Sequence, residues 1–477
     1  MLFNSFEYLI FLPIVFCLYW FVFKSLRWQN LLIVVASYIF YGWWDWRFLL
    51  LIAFTSICSY ASGIMIERSR AANRPGGGRF YAIGNIVLNL LILGVFKYYN
   101  FFVESIASAF CGIGIGLHPV TLNIILPVGI SFYTFQALSY TIDVYKGKIA
   151  ATFDVVSFFA FISFFPQLVA GPIERATNLL PQFQKNRLFE YSTAVDGTKQ
   201  ILWGLFKKMV IADNCAYVVD KVWDGFTFYS SPMLIVAAIL FSFQIYGDFS
   251  GYSDIAIGTG KLFGIRLMRN FNLPYLSRSV AEFWKRWHIS LNTWFVDYVY
   301  IPLGGSREGK WKSVRNTFVI FLLSGLWHGA NWTYVTWGVY HASLFIPLLL
   351  LGKNKKYRNT VAENSLFPTL KESYQILLTF SMVTIGWVIF RANSIEDFYN
   401  YVCCMGGNWH IPSEIIGFKS FFFIIIMLVV EWFNRTKNHA FSFYLNKLYL
   451  RWGIYLLFAY LCLTQAGDQI QFIYFQF

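Results

Sequence analysis

The chain of 477 residues is 57% hydrophobic and 21% aromatic, carries only 13% charged residues and has a mean hydropathy of +0.52. Such a composition excludes a soluble globular domain, whose surface needs more charge than this. The net charge of +14 would suit a nucleic-acid partner, but the basic residues sit in short loops between apolar runs, the pattern that orients a membrane protein, so no nucleic acid is expected.

The runs Tyr8 to Phe23, Phe48 to Ile66, Met233 to Ile245 and Phe421 to Val430 approach the roughly 20 apolar residues that a helix needs to cross a bilayer. They are continuously apolar and lack the alternation of barrel strands, so the predicted class is all-α, polytopic and integral to the membrane. The first run lacks a basic leader and a small-residue cleavage site, and reads as a retained span. Basic clusters follow at Lys24 and Arg27, at Arg68 to Arg79, at Lys207 and Lys208, at Arg307 to Arg315 and at Lys353 to Arg358. The positive-inside rule places these loops in the cytoplasm and Trp43 to Trp46 at an outer interface.

Pro75 to Gly78 reads as a flexible linker, since no Lys-Ser/Thr follows to make a phosphate loop. Val155 to Gly171 is apolar but has Lys146 and Lys148 before it and Arg175 after it, with Pro166 and Pro172 near its end. Cations on both flanks predict a re-entrant hairpin rather than a crossing. The chain therefore reads as one membrane domain. Residues 1–120 form peripheral helices, 121–345 a catalytic core of interrupted spans, and 346–477 terminal helices ending in an aromatic strip. The seven cysteines are scattered through apolar sequence and read as packing residues; neither HExxH nor a Cys/His cluster supports a metal.

The centre carries the chemistry. In FSFQIYGDFSGYSDIAIG (Phe241 to Gly258), Asp248 and Asp254 interrupt an apolar segment. They either line a polar route or accept backbone N–H groups at broken helix ends. His288 lies in FWKRWHISLNTW (Phe283 to Trp294), where tryptophans alternate with Lys285 and Arg286 and Arg278 precedes them. This pattern fits an amphipathic helix at the cytoplasmic interface, its cations suited to a phosphorylated donor or to lipid headgroups. His328 lies in LLSGLWHGANW (Leu322 to Trp332) among uncharged neighbours. Desolvation disfavours imidazolium there, which leaves a lone pair for a general base; the alternative is a packing histidine bonded to a carbonyl. His341 reads as structural.

Four stretches, FPQLVAGPIER (Phe165 to Arg175), DFSGYSDIAIG, FWKRWHISLNTWFVDYVYIPLGG (Phe283 to Gly305) and SGLWHGANWTYVTWG (Ser324 to Gly338), resemble the membrane-bound O-acyltransferases. Both chain ends are similar to the alginate-type branch of that family. The resemblance implies an inner-membrane enzyme that takes acetyl from cytoplasmic acetyl-CoA and passes it across the bilayer for O-acetylation of an exported polysaccharide. His328 matches the family's signature histidine and His288 its companion. A separate extracytoplasmic acetyltransferase of the SGNH type is the implied partner.

On this reading Lys285, Arg286 and Arg278 hold donor phosphates at the mouth of a central tunnel. Trp327 and Asn331 shape the reaction centre, and Asn292 bonds His288 or the donor. Tyr474, in the terminal FIYFQF, is expected to accept the acetyl group before the partner takes it; an interfacial anchor is the alternative. D-alanyl transfer from a carrier-protein thioester to a teichoic acid is a second reading. A transporter or channel using the buried Asp and His residues is a third.

Overall fold

The computed structural model describes residues 1–169, 171–410, 417–443, 447–468, 470 and 472–473, and every regular element among them is helical. Among the described residues, five helices are long and apolar enough to cross a membrane: Arg47–Ala71, Gly76–Gly112, Ser231–Leu262, Trp332–Leu350 and Leu370–Arg391. The chain is a multi-pass membrane protein. It divides into two compact units, one of Met1–Ala194 with Thr259–Met268, the other of Val195–Gly258 with Arg269–Phe477.

In the first unit the helix Ile130–Tyr145 is buried along nearly its whole length, so its polar side chains must find partners inside. Gln136 donates to the Phe161 carbonyl at 2.6 Å, and Thr141 accepts from Asn85 at 2.7 Å. The helix starts at Gly129, whose φ of 74° favours glycine and whose missing Cβ leaves room for the Leu168 carbonyl. The segment expected to re-enter forms the helix Val155–Ser163, capped by Asp154, then a break at Phe164 and one turn over Phe165–Leu168. Nine residues rise only about 14 Å, too little for a hydrocarbon core of roughly 30 Å. Protein covers the break, where Phe164 and Phe165 are buried.

Two expectations are corrected. Gly76, Gly77 and Gly78 are not a linker but the first turn of the helix Pro75–Leu93. A Cβ on Gly77 would lie 2.5 Å from Ser69 Oγ, so the small residue permits close pairing with the preceding helix. Lys207 and Lys208 are not loop cations: both are buried on a helical segment, Phe206–Ala212.

The second unit is built on residues 231–258 of the unbroken helix Ser231–Leu262. Its glycines let neighbouring backbone approach: a Cβ on Gly251 would stand 2.8 Å from the Gly204 carbonyl, and one on Gly258 2.5 Å from that of Gly197. The helices Lys310–His328 and Trp332–Leu350 are equally close, since a Cβ on Gly325 or Gly338 would collide with the carbonyls of Tyr334 and Phe321. This contact fixes the turn that follows His328.

Candidate active site

The stretch expected as one amphipathic interfacial helix is two short helices, Val280–Arg286 and Ile289–Phe295. Its aromatic residues pack on protein: Trp287 is fully buried and its ring lies 4.8 Å from that of Trp387. The corner between the helices is His288, with φ 44° and ψ 54°. This left-handed conformation costs a non-glycine residue about 1–3 kcal/mol and persists only where the surroundings impose it. Here the segment from Asn270 to Asn272 imposes it. Ile289 N–H donates to the Asn270 carbonyl and Asn272 N–H to that of Arg286, both at 2.9 Å.

His288 is buried, and burial pushes its pKa down to about 3. Its Nδ1 lies 3.0 Å from Asn270 Oδ1. Among the described residues no hydrogen-bond partner meets its Nε2. Its ring meets Phe249 edge-on at 4.7 Å and Trp327 at 5.5 Å. Trp327 in turn lies 5.0 Å from His328, the buried last residue of its helix. The structure thus brings the two expected histidines onto either side of one indole. Trp337 and Phe390 close the other side of His328, at 5.1 and 5.3 Å. His341 lies beyond Trp337, its ring enclosed by Trp284 and Trp337 at 4.9 Å each.

Asp248 and Asp254 do not cap broken helices, because their helix is continuous. They form buried ion pairs instead. Lys207 Nζ lies 2.6 Å from Asp254 and 2.8 Å from Ser250 Oγ, while Lys208 bridges Asp213 at 2.8 Å and Asp248 at 2.9 Å. The second cluster also holds Ile470 and Ile473: Lys208 donates to the Ile470 carbonyl at 3.0 Å, and Asp248 accepts from Ile473 N–H at 2.7 Å. Phe472 is thereby buried against Tyr252 and Phe249, at 4.3 and 5.9 Å. Tyr474 lies outside the described residues.

Of the three cations expected at the donor, Lys285 alone is exposed, its ammonium 2.7 Å from the Asn354 carbonyl and in the field of Lys355 and Arg358. Arg278 and Arg286 share the Glu282 carboxylate at 3.1 and 2.8 Å and both reach the Asn359 carbonyl. Asn292 does not bond the His288 ring; it donates to the carbonyls of Trp284 and Trp287 at 2.7 and 2.6 Å, tying the corner from inside. Asn331 caps the helix Trp332–Leu350 by accepting from Thr333 N–H, and bonds the Asn393 carbonyl.

Sequence reasoning missed a polar cavity of about 30 Å³, lined by Lys207, Tyr246, Asp254, Arg269, Glu431 and His439, with Asn270 on its wall. That volume holds water rather than a large ligand. Glu431 accepts from Tyr246 OH at 2.8 Å, and His439 pairs with Asp196 at 2.9 Å. A lone Glu inside the apolar run LVVEWF was the available signal.

Long apolar helices with buried imidazoles in the second unit define a multi-pass membrane protein. The family profile of the membrane-bound O-acyltransferases matches residues 148–355. A probable alginate O-acetylase, AlgI, of Pseudomonas aeruginosa is 38% identical over 449 residues, 92% of this chain and 82% of that protein. A peptidoglycan O-acetyltransferase of Helicobacter pylori is 34% identical over 400 residues, 78% of this chain and 73% of its own length. A teichoic acid D-alanyltransferase of Bacillus subtilis is 31% identical over 280 residues, 56% of this chain and 69% of its own. The chain belongs to the membrane-bound O-acyltransferase family. It is an O-acyltransferase.

Proposed function

We propose that the protein takes acetyl from acetyl-CoA at the cytoplasmic face of a bacterial inner membrane and passes it toward an exported polysaccharide. The acetylating relatives named for alginate and peptidoglycan support a glycan as the final acceptor. The observation that carries the reading is the burial of His288 and His328 on either side of Trp327, with Phe472 packed on the same Phe249 that meets His288.

An acetyl thioester is already activated, so the protein has to align a hydroxyl and remove its proton. In this reading the hydroxyl is that of Tyr474, two residues beyond the buried Phe472. His328 takes the phenolic proton as the oxygen attacks the thioester carbonyl. The C–S bond breaks, and the proton passes to the departing thiolate of CoA. The aryl ester then yields its acetyl group to an extracytoplasmic SGNH-type acetyltransferase, since phenol, with a pKa near ~10, leaves more readily than a sugar hydroxyl. Lys285, with Lys355 and Arg358, holds donor phosphates; Arg278 and Arg286 shape the loop at Asn359 that presents them. A tunnel lets donor and acceptor meet from opposite faces.

The test is His328→Ala in cells and in purified protein. Polymer acetylation should vanish while the variant inserts and keeps its thermal stability; full acetylation would refute the assignment. Supplying acetyl-CoA or a D-alanyl carrier protein to the wild type separates acetyl from D-alanyl transfer, and turnover of neither thioester would favour a transporter.

A further inference from the structure

Asn270 touches His288 from two directions. Its carbonyl accepts Ile289 N–H, holding the left-handed corner, and its side-chain Oδ1 lies 3.0 Å from His288 Nδ1. The same side-chain atom is approached by Ser290 N–H at 3.4 Å and Ser290 Oγ at 2.9 Å. A backbone N–H has only a proton to offer, so the atom there is the carbonyl oxygen of the amide. The Nδ2 group is turned to Ser253 Oγ, at 3.2 Å. An oxygen facing Nδ1 needs the imidazole proton on Nδ1, which leaves the lone pair on Nε2.

We propose that Asn270 is a positioning residue for acyl transfer, fixing His288 with its proton on Nδ1 and its lone pair on Nε2, so that His288 accepts a hydrogen bond at the site where His328 takes the phenolic proton. This rests on the reading that the two imidazoles flank the reacting acyl group. The role parallels a carboxylate behind a catalytic imidazole, but with a neutral amide. A carboxylate would raise the histidine's proton affinity, whereas an amide orients the ring without charging it.

The groups facing the His288 ring bear this out. Phe249, Phe271 and Trp327 are uncharged, and His328 stands across Trp327. The titratable side chains Lys207, Asp254, Arg269, Glu431 and His439, with Tyr246, lie around the cavity that Asn270 walls. The amide thus separates a water-sized polar chamber from a neutral imidazole.

The experiment compares acetyl-CoA turnover by purified full-length wild type, H288A, N270A and N270D across pH. An imidazole that must accept at Nε2 loses function when protonated, so a raised histidine pKa moves the acid limb of kcat upward. Wild-type kcat should stay flat through the neutral range. N270D keeps an oxygen at the corner but adds charge; it should approach wild-type kcat at high pH and lose it on an acid limb between about pH 5 and 8. N270A should lower kcat about 100-fold with the KM for acetyl-CoA unchanged. A wild-type pH profile in N270D, or a KM effect alone in N270A, would overturn the role of Asn270. Undiminished turnover by H288A would overturn the underlying reading instead, and the inference with it.

Discussion

The helix Ser231–Leu262 and the corner at His288 both carry polar groups into apolar surroundings, and they treat them in opposite ways. On the helix, Asp248 and Asp254 each meet a buried lysine within 3 Å. At the corner, His288 is surrounded by rings and one amide, and its charge is suppressed. Paired charges are held in place and build a frame, because separating them inside protein is costly. A neutral imidazole with a directed lone pair is available for proton transfer.

The strongest challenge to that contrast is Tyr474→Phe. It keeps the ring and removes the nucleophile alone, so polymer acetylation should fall to background while the protein inserts normally. Normal acetylation would eliminate the relay and leave the strip held by Lys208 and Asp248 as a packing element. Asp248→Asn asks the same question from the frame's side. Ile473 N–H retains an oxygen acceptor in this variant, so acetylation should fall less than in Tyr474→Phe.

A second challenge addresses stability. Asp254→Ala leaves Lys207 buried without its carboxylate, and breaking such a pair costs about 3–5 kcal/mol. The double variant Lys207→Met/Asp254→Leu removes both charges and should recover most of that loss in thermal unfolding. No recovery would mean that the pair serves more than the frame.

How much of this was legible in sequence follows the same division. His288 and His328 stood out because a titratable ring in apolar sequence is conspicuous, and the short broken helix at Val155–Leu168 because its flanking cations and Pro166 are local signals. Lys207 and Lys208 were misread because a positive pair between apolar runs also marks a cytoplasmic loop. Only the carboxylates of Asp254, Asp213 and Asp248, reached through folding, distinguish the two. Asn270 gave no signal, since its partner lies 18 residues away and the corner that joins them is tertiary. Gly76 to Gly78 were misjudged because glycine's helix propensity is poor, while the fold uses its small volume beside Ser69.

The smallest expected effect lies at the surface, where charge is neither paired in a frame nor suppressed. Lys285 is exposed and, together with Lys355 and Arg358, forms a patch of one sign. Contacts from such a patch to the remote phosphates of a donor act on ground and transition states alike, so they change KM more than kcat. Each exposed charge contributes about 0.2–1 kcal/mol, which for Lys285→Ala with Lys355→Ala amounts to roughly a 2- to 30-fold rise in the KM for acetyl-CoA. Salt screens exposed charges, so the wild-type KM should rise with ionic strength and the variant's much less. A loss in kcat with unchanged KM would move Lys285 from holding the donor to orienting it, and would place a working charge where this comparison puts only a binding one.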